Sequence, residues 1–464
     1  MADPLYNQQE QMAAFYAAND LVLNTSDPGT GKTRGTLEGY MRRRIHNRSG
    51  RVLVVAPLSI LEPSWGDDIE SYTPLTFAIA HGSPAKRKQA FESDAEIVLI
   101  NFDGVKWIDG LSKTAQSKLL LGFTDLIIDE FTAFKNRSAQ RSKAMLKVSK
   151  YFSNKVLLSG TPNPNTITDL WHPMMIMDGG ARLGSRYFKF REQVCKPVST
   201  GYGDFVTWED IEGAEEAVAD ALSDISIRFK FEDCVDIPPQ VMRFPKIKMP
   251  KKVMDAYREM EQHSILQFQQ NTNALVPGTF TAVHAAAKIK KMLQILSGSM
   301  YGENGTVLPI NNGRYDLIAQ MVDERDHSLV AFNWQHEKEG LVLACKKLGH
   351  SIAVIDGTVP KEKRTEIVRD FQDGKYKVLF CHPAATSHGL TLTKARTIIW
   401  SSPTYSSEQF IQFNRRIYRI GQTQSTEVIC ISARGTKEED VYKALQQKVT
   451  RTEDLLNILL AQSV

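Results

Sequence analysis

The sequence predicts an α/β protein with two lobes, each built on a parallel β-sheet. Before residue 160, five short runs rich in valine, isoleucine and leucine recur, and helical patterns lie between them. Runs of this kind are typical of strands that are buried on both faces of a parallel sheet. A second series of five begins near residue 328. We expect mostly helical structure between the two series, over residues 178–300.

Length and composition are consistent with this division. The chain has 464 residues, 42% of them hydrophobic, which is enough for more than one core. The formal net charge of +4 is small for this length, so composition alone does not indicate a nucleic-acid binder. The five cysteines lie far apart, which argues against a zinc ribbon or a disulfide framework. Because neither a signal peptide nor an apolar run of 18 residues is seen, we expect a cytoplasmic protein that is neither secreted nor bound to a membrane.

Residues 26–33, Ser-Asp-Pro-Gly-Thr-Gly-Lys-Thr, predict a phosphate-binding loop between a strand and a helix. Glycines let successive backbone N–H groups point at phosphate oxygens, and the helix that follows adds its positive end. Lys32 would bridge the β- and γ-phosphates of ATP, and the Thr33 hydroxyl would lie on Mg²⁺. Ser26 stands where the full Walker pattern has its first glycine. The predicted ATP-binding residues of this loop are Asp27, Gly29, Thr30, Gly31, Lys32 and Thr33.

An acidic pair follows a later apolar run, in Asp-Leu-Ile-Ile-Asp-Glu at residues 125–130. Asp129 is a candidate for holding Mg²⁺, and Glu130 is placed to orient and deprotonate the attacking water. The alternative is a pair of solvated carboxylates at the end of a strand, which is common. We predict no metal other than Mg²⁺.

Several segments resemble motifs of known nucleic-acid motors. Residues 29–33, 129–136 and 159–162 are similar to motifs I, II and III of the superfamily-two helicases. Residues 387–400 and 408–428 resemble motifs V and VI of the Swi/Snf-type ATPases. The resemblance covers about residues 5–433 and is weakest between 178 and 300. It leaves little room for the large insertions of eukaryotic remodellers, which favours a minimal viral or bacterial form.

The resemblance implies two RecA-like lobes with ATP and Mg²⁺ in the cleft between them. Lobe 1, the ATP-binding lobe, would span residues 1–235, with a helical extension from about residue 178. Lobe 2, the helicase C-terminal lobe, would span residues 236–464, beginning with a helical segment at 250–300. The tail after residue 433 has an amphipathic helical pattern, and we expect this helix to pack on lobe 2; the alternative is that it binds a partner.

The resemblance also assigns roles to three further residues. Arg416 and Arg419 would act on the γ-phosphate, since a guanidinium is planar and permanently charged. Gln9, four residues after Leu5, would read the adenine edge with its amide. The alternative for Gln9 is a polar residue on an amphipathic first helix.

A motor of this kind grips the phosphate backbone, which carries charge but no sequence information. No motif indicates base readout, so we expect binding to nucleic acid without strong sequence preference, with duplex DNA favoured. We also expect a monomer. The candidate nucleic-acid or coupling residues are Lys135, Asn136, Ser159, Gly160, Thr161, Gly389, Thr391 and Gln412.

Three functions are consistent with these motifs. The leading hypothesis is an ATP-dependent translocase on double-stranded DNA that remodels or displaces DNA-bound proteins or DNA structures. The first alternative is a helicase that separates strands of DNA or RNA. The second is a nucleotide-binding adaptor without motor activity. If the source is viral, the expected location is the cytoplasm of the host cell.

Overall fold

A computed structural model describes residues 4–199, 206–271, 278–301, 307–310, 313–386 and 390–462. Contacts within the chain group its residues into two compact units. Unit 1 takes in the described residues of Met1–Lys196, Trp208–Asp236 and Lys448–Val464. Unit 2 takes in those of Pro197–Thr207 and Ile237–Gln447.

Unit 1 contains a seven-stranded sheet in which every pair of neighbouring strands is parallel. Its strands are β1 (Leu21–Asn24), β2 (Arg51–Ala56), β3 (Phe77–Ala80), β4 (Ile97–Asn101), β5 (Phe123–Asp129), β6 (Asn154–Leu158) and, after two further strands of the chain, β9 (Ser226–Ile227). β7 (Cys195–Ser199) and β8 (Val206–Asp210) form a separate two-stranded sheet. The order across the large sheet is β3-β4-β2-β5-β6-β1-β9.

Eleven α-helices accompany these strands among the described residues, besides shorter 3-10 and π-helical turns. They are α1 (Asn7–Ala18), α2 (Lys32–Ile45), α3 (Asp67–Tyr72), α4 (Pro84–Glu92), α5 (Gly104–Asp109), α6 (Lys113–Leu119), α7 (Gln140–Val148), α8 (Trp171–Asp178), α9 (Tyr187–Val194), α10 (Ala214–Leu222) and α11 (Phe231–Cys234).

The central strand β2 explains why the sequence reads as a continuous apolar run. Val52, Val54 and Ala56 pack into one apolar cluster. The alternate residues Leu53 and Val55 pack into another. Successive side chains of a strand point to opposite faces, so both faces of the sheet are buried at residues 52–56 and each of these positions is apolar.

Unit 2 contains a six-stranded parallel sheet in the order β10-β18-β17-β14-β16-β15. Two small sheets of this unit pair β11 with β19 and β12 with β13. The strands of the unit are β10 (Gln240–Arg243), β11 (Lys246–Ile247), β12 (Ser299–Tyr301), β13 (Val307–Pro309), β14 (Ser328–Ala331), β15 (Ile352–Ile355), β16 (Val378–Cys381), β17 (Thr397–Trp400), β18 (Thr426–Cys430) and β19 (Ser432–Ala433). Its helices are α12 (Lys251–Asn271), α13 (Gly278–Ser297), α14 (Arg314–Asp323), α15 (Gln335–Lys347), α16 (Lys361–Gln372), α17 (Pro383–Thr386) and α18 (Ser407–Asn414).

The predicted fold class, two α/β lobes on parallel sheets, is confirmed. All ten apolar runs form strands of the two large sheets. The expectation of mostly helical structure over 178–300 is correct for α12 and α13. It is wrong for the five short strands β7 to β11, because their polar or very short sequences give no apolar run.

The final helix, α19 (Lys437–Gln462), departs from the expectation that it packs on the second lobe. Its residues up to 447 belong to unit 2, but those from 448 belong to unit 1. The reason is apolar packing, since Leu455 and Leu459 are buried in the core of unit 1. Within the described part of the chain, no helix combines the length and apolar character needed to cross a bilayer.

Candidate active site

The predicted phosphate-binding loop joins the end of β1 to the start of α2. Gly29 has φ +91° and Gly31 has φ +84°, a left-handed conformation that side chains disfavour. A Cβ on Gly31 would also overlap the side-chain amide of Gln9. Glycine is therefore required at Gly31 by conformation and by space.

The other loop residues lie close to one another. The Thr30 hydroxyl is buried and donates to the Asp27 carbonyl at 2.8 Å. Lys32 Nζ donates to the carbonyls of Ser26 at 2.7 Å and Asp27 at 3.1 Å, so the ammonium spans the loop. Thr33 lies half-buried in the first turn of α2.

The charge of Lys32 is balanced by carboxylates. Burial lowers the pKa of Lys32, while the negative charges of Glu130, Asp129 and Asp27 act in the opposite direction. The structure thus brings the lysine of the loop and the predicted acidic pair together in unit 1.

Asp129 is the last residue of β5 and is buried. Its Oδ2 accepts a hydrogen bond from Trp65 Nε1 at 2.9 Å. Burial raises the pKa of Asp129, and the bond from Trp65 and the charge of Lys32 oppose this rise. The burial of Asp129 argues against a merely solvated pair.

Glu130 adopts φ +54°, which is uncommon for a residue other than glycine and often marks a functional site. Its Oε2 accepts a hydrogen bond from Ser159 Oγ at 3.2 Å. Ser159 also accepts from the backbone N–H of Thr161 at 3.1 Å. A Cβ on Gly160 would lie 2.7 Å from Pro28 Cδ. Residues 159–161 are therefore buried between the acidic pair and the phosphate-binding loop.

Gln9 is buried on α1, and its Oε1 accepts from the backbone N–H of Tyr6 at 3.0 Å. A cavity of about 250 Å³ is lined by Leu5, Arg34 and Tyr72, among others, and Gln9 is not one of its lining residues. The Arg34 guanidinium lies 4.1 Å from the centre of the Tyr72 ring.

The remaining unit 1 candidates are Lys135 and Asn136. Lys135 Nζ lies 3.9 Å from Asp169 Oδ2. Asn136 Oδ1 accepts from the backbone N–H of Ser138 at 3.0 Å. Both side chains thus have partners within unit 1.

In unit 2, Arg416 and Arg419 meet at one backbone carbonyl. The Nη1 of each donates to the Leu390 carbonyl at 3.0 Å. Burial lowers the pKa of Arg419, yet a guanidinium stays protonated at neutral pH. Gln412 is buried on α18, and Thr391 is exposed. Gly389 lies outside the described residues.

Two residues near the predicted site were missed by the sequence reasoning. Trp65 holds Asp129, and Arg228 Nη2 donates to Asp27 Oδ1 at 3.0 Å. Each is distant in sequence from its partner and has no motif around it that indicates the contact.

Comparison with known proteins identifies related families and relatives. A family model described as SNF2-related domain matches residues 14–294. A second, described as helicase conserved C-terminal domain, matches residues 313–421.

Three curated proteins illustrate the range of relatives. A protein designated p41 from Acyrthosiphon pisum secondary endosymbiont phage 1 is 28% identical, over 86% of this chain and 84% of that protein. Chromodomain-helicase-DNA-binding protein 1-like from Mus musculus is 22% identical over 94% of this chain and 48% of that protein. DNA annealing helicase and endonuclease ZRANB3 from Bos taurus is 24% identical over 88% of this chain and 36% of that protein. The chain thus spans most of the phage protein but less than half of the other two.

Among solved structures, the Sulfolobus solfataricus SWI2/SNF2 ATPase core in complex with double-stranded DNA is similar to this chain. The TM-score is 0.44 and the identity 20%, with 98% of this chain and 93% of that chain covered.

Proposed function

The chain belongs to the SNF2-related family of ATP-dependent motor proteins, and we propose that the motion it drives is translocation along double-stranded DNA. Membership of this family makes it a helicase-like enzyme that hydrolyses ATP, and it confirms the resemblance seen in the motifs. In the proposal, the moving protein remodels or displaces proteins or DNA structures in its path. The observation that carries the proposal is the arrangement in unit 1 in which Lys32 bonds the loop carbonyls, Gly160 lies against Pro28 of that loop, and the neighbouring Ser159 donates to Glu130.

We assign the chemistry to four side chains. Lys32 exchanges its loop carbonyls for oxygens of the β- and γ-phosphates. Glu130 accepts a proton from water while the water oxygen forms a bond to the γ-phosphorus. The bond from that phosphorus to the β–γ bridging oxygen breaks, and ADP leaves. Arg416 and Arg419 neutralise charge on the transferred phosphoryl group, as arginine fingers do in related chemistry.

The residues present fit a magnesium ion. The Asp129 carboxylate and the Thr33 hydroxyl are oxygen ligands, which Mg²⁺ prefers, and Mg²⁺ usually completes its shell with phosphates and water. When bound, the ion neutralises phosphate charge. Trp65 orients the Asp129 carboxylate toward this role by holding one of its oxygens.

The base of the nucleotide is assigned to Gln9 on α1. Gln9 supplies an amide that can both donate and accept, which suits the edge of adenine.

The names of two curated relatives support DNA as the polymer along which the protein moves. The names of the mouse and cattle proteins include DNA binding and DNA annealing, respectively. The match to the phage relative covers 86% of this chain and 84% of that protein. The exposed Thr391 and the residues around Lys135 are the candidates for contacting the phosphate backbone of DNA.

The strand-separating helicase is the second candidate, because one relative is named an annealing helicase. The adaptor without motor activity is disfavoured. Lys32, Glu130, Arg416 and Arg419 are all present, and an adaptor has no need of this full set.

The test is the steady-state ATPase rate with no nucleic acid, single-stranded DNA, duplex DNA and RNA. Lys32→Ala and Glu130→Gln should each lower the stimulated rate by about 10²–10⁴-fold, the range for loss of a general base or a phosphate contact. Lys88→Ala, at an exposed position of α4, is the control and should retain the rate.

Stimulation mainly by duplex DNA, followed by displacement of a third strand from a triplex, would support translocation. Stimulation by single strands or RNA alone would favour the helicase. A rate that no nucleic acid changes would contradict both.

A further inference from the structure

The segment that follows β9 runs beside the phosphate-binding loop. Ser226 and Ile227 pair in parallel with Leu23 and Asn24 at the end of β1. The pairing continues past the strands, since the backbone N–H of Asp27 donates to the Phe229 carbonyl at 3.0 Å. Residues 226–229 therefore accompany the chain from β1 into the loop.

Arg228 reaches from this segment to two parts of the loop. Its Nη2 donates to Asp27 Oδ1 at 3.0 Å, and its Nη1 donates to the Thr25 carbonyl at 2.5 Å. Arg228 and Asp27 are both buried, with exposed fractions of 5% and 7%. A buried ion pair with these extra hydrogen bonds is costly to break from one side, because the remaining charge loses its partner.

Neighbours of Arg228 contact the loop as well. The backbone N–H of Phe231 donates to Asp27 Oδ2 at 3.1 Å, and that of Phe229 donates to Ser26 Oγ at 3.0 Å. The Phe231 ring lies against Gly29, where an added Cβ would be 3.0 Å from ring Cε2. Asp27 Oδ1 thus accepts a hydrogen bond from Arg228, and Asp27 Oδ2 accepts one from the backbone N–H of Phe231.

We propose that Arg228 is a positioning residue for ATP binding, and that Asp27 acts through Arg228. Two left-handed glycines make the loop costly to order, because glycine loses more conformational freedom than other residues. The bonds from Arg228 fix Thr25 and Asp27, the residues that lead into those glycines. The loop N–H groups are thereby oriented for phosphate before it binds, which lowers the cost of binding.

This proposal rests on ATP binding in unit 1 and not on movement along DNA. The test therefore uses the full chain without nucleic acid. We would measure equilibrium binding of a fluorescent ATP analogue, together with KM and kcat for ATP.

Arg228→Gln should raise Kd and KM by about 10–100-fold, the range seen when residues that orient a site are lost. kcat at saturating ATP should change by less than about threefold, because the hydrogen bonds of Arg228 go to Thr25 and Asp27 and not to the groups that transfer the proton or the phosphoryl group. Arg228→Lys should give an intermediate KM, since it keeps the charge but loses the two-armed geometry. Asp27→Asn should resemble Arg228→Gln, and the double variant should be no worse than either single variant.

Arg182→Gln is the matched control. Like Arg228, Arg182 is an arginine of unit 1 with two hydrogen-bonded partners. Its partners are the carboxylates of Asp178 and Asp224, and it does not contact the phosphate-binding loop through these bonds. It should leave KM unchanged even where it lowers the melting temperature.

Three results would overturn the proposal. One is a KM and Kd within twofold of the parent in both Arg228 variants. Another is a fall in kcat with KM unchanged. The third is an equal rise in KM in Arg182→Gln, which would make the effect one of general stability. If Arg228→Gln does not fold, the comparison of Arg228→Lys with Arg182→Gln decides the question.

Discussion

The candidate residues of the two units are held in different ways. In unit 1, each acidic group accepts a hydrogen bond from a side chain of another segment: Asp27 from Arg228, Asp129 from Trp65 and Glu130 from Ser159. In unit 2, Arg416 and Arg419 both donate to a backbone carbonyl, that of Leu390. The difference follows from chemistry. The charge of a carboxylate depends on its surroundings, whereas a guanidinium stays charged and needs only acceptors that aim it.

The largest expected effect is on kcat, and it tests the role assigned to the two arginines of unit 2. Arg416→Ala and Arg419→Ala should each lower kcat by about 10³-fold or more, because an arginine finger stabilises charge that develops during the reaction. ATP affinity should change only a few-fold, in contrast to the Arg228 variants. Single-turnover hydrolysis and equilibrium ATP binding measure the two quantities.

Arg434→Ala is the control, at an exposed position of the same unit. If either finger variant lost affinity as strongly as rate, the assigned role would be wrong.

A smaller effect, on the Mg²⁺ requirement, tests whether Mg²⁺ binding by Asp129 depends on its hydrogen bond from Trp65. Trp65→Phe removes the indole N–H that stabilises the ionised carboxylate, so the pKa of Asp129, already raised by burial, should rise further. A proton then competes better with Mg²⁺. The acidic limb of the pH–rate profile should move to higher pH, and the Mg²⁺ concentration for half-maximal rate should rise by about tenfold.

Trp107→Phe, in which the indole packs near Phe91, is the matched tryptophan control. An unchanged Mg²⁺ requirement in Trp65→Phe would mean that Asp129 does not need this hydrogen bond.

The smallest effect concerns a carboxylate in unit 2 that, like the acidic groups of unit 1, accepts hydrogen bonds from side chains of another segment. Glu337 on α15 is buried and accepts hydrogen bonds from the Asn333 N–H and from the hydroxyls of Ser401 and Ser402. Burial raises the pKa of Glu337 to about 7, from 4.5. The folded state therefore binds this proton more tightly than the unfolded state. The contribution of Glu337 to the free energy of unfolding falls as pH rises from 4.5 to about 7.

Glu337→Gln removes that titration. The melting temperature of the variant, relative to the parent, should be higher at pH 8 than at pH 5 by about 2–5 °C. Glu339→Gln, at an exposed position of the same helix, should show no such difference. Parallel pH curves for parent and Glu337→Gln would contradict the expected titration.

The fold and the motifs could be predicted because their signals are local. Ten of the thirteen strands in the two large sheets are predicted by apolar runs. The residues of the phosphate-binding loop lie within eight positions of one another, and Asp129 and Glu130 are adjacent. The individual roles given to these residues stay predictions. Arg228 could not be found in this way, since 201 residues separate it from Asp27 and β9 has only two residues. Trp65 is buried, and nothing in the sequence around it indicates that its N–H donates to Asp129.

The division of α19 between the two units has a consequence for synthesis on the ribosome. Leu455, Leu456 and Leu459 are buried, and two of them belong to the main core of unit 1. Domains usually fold in order as the chain emerges, starting from the N-terminus. Here the unit that contains the first strands cannot complete its core until residues 448–462 have been made, after the whole of unit 2. We infer that a nascent chain holds an incomplete first unit throughout most of translation, with apolar surface that the final helix later covers.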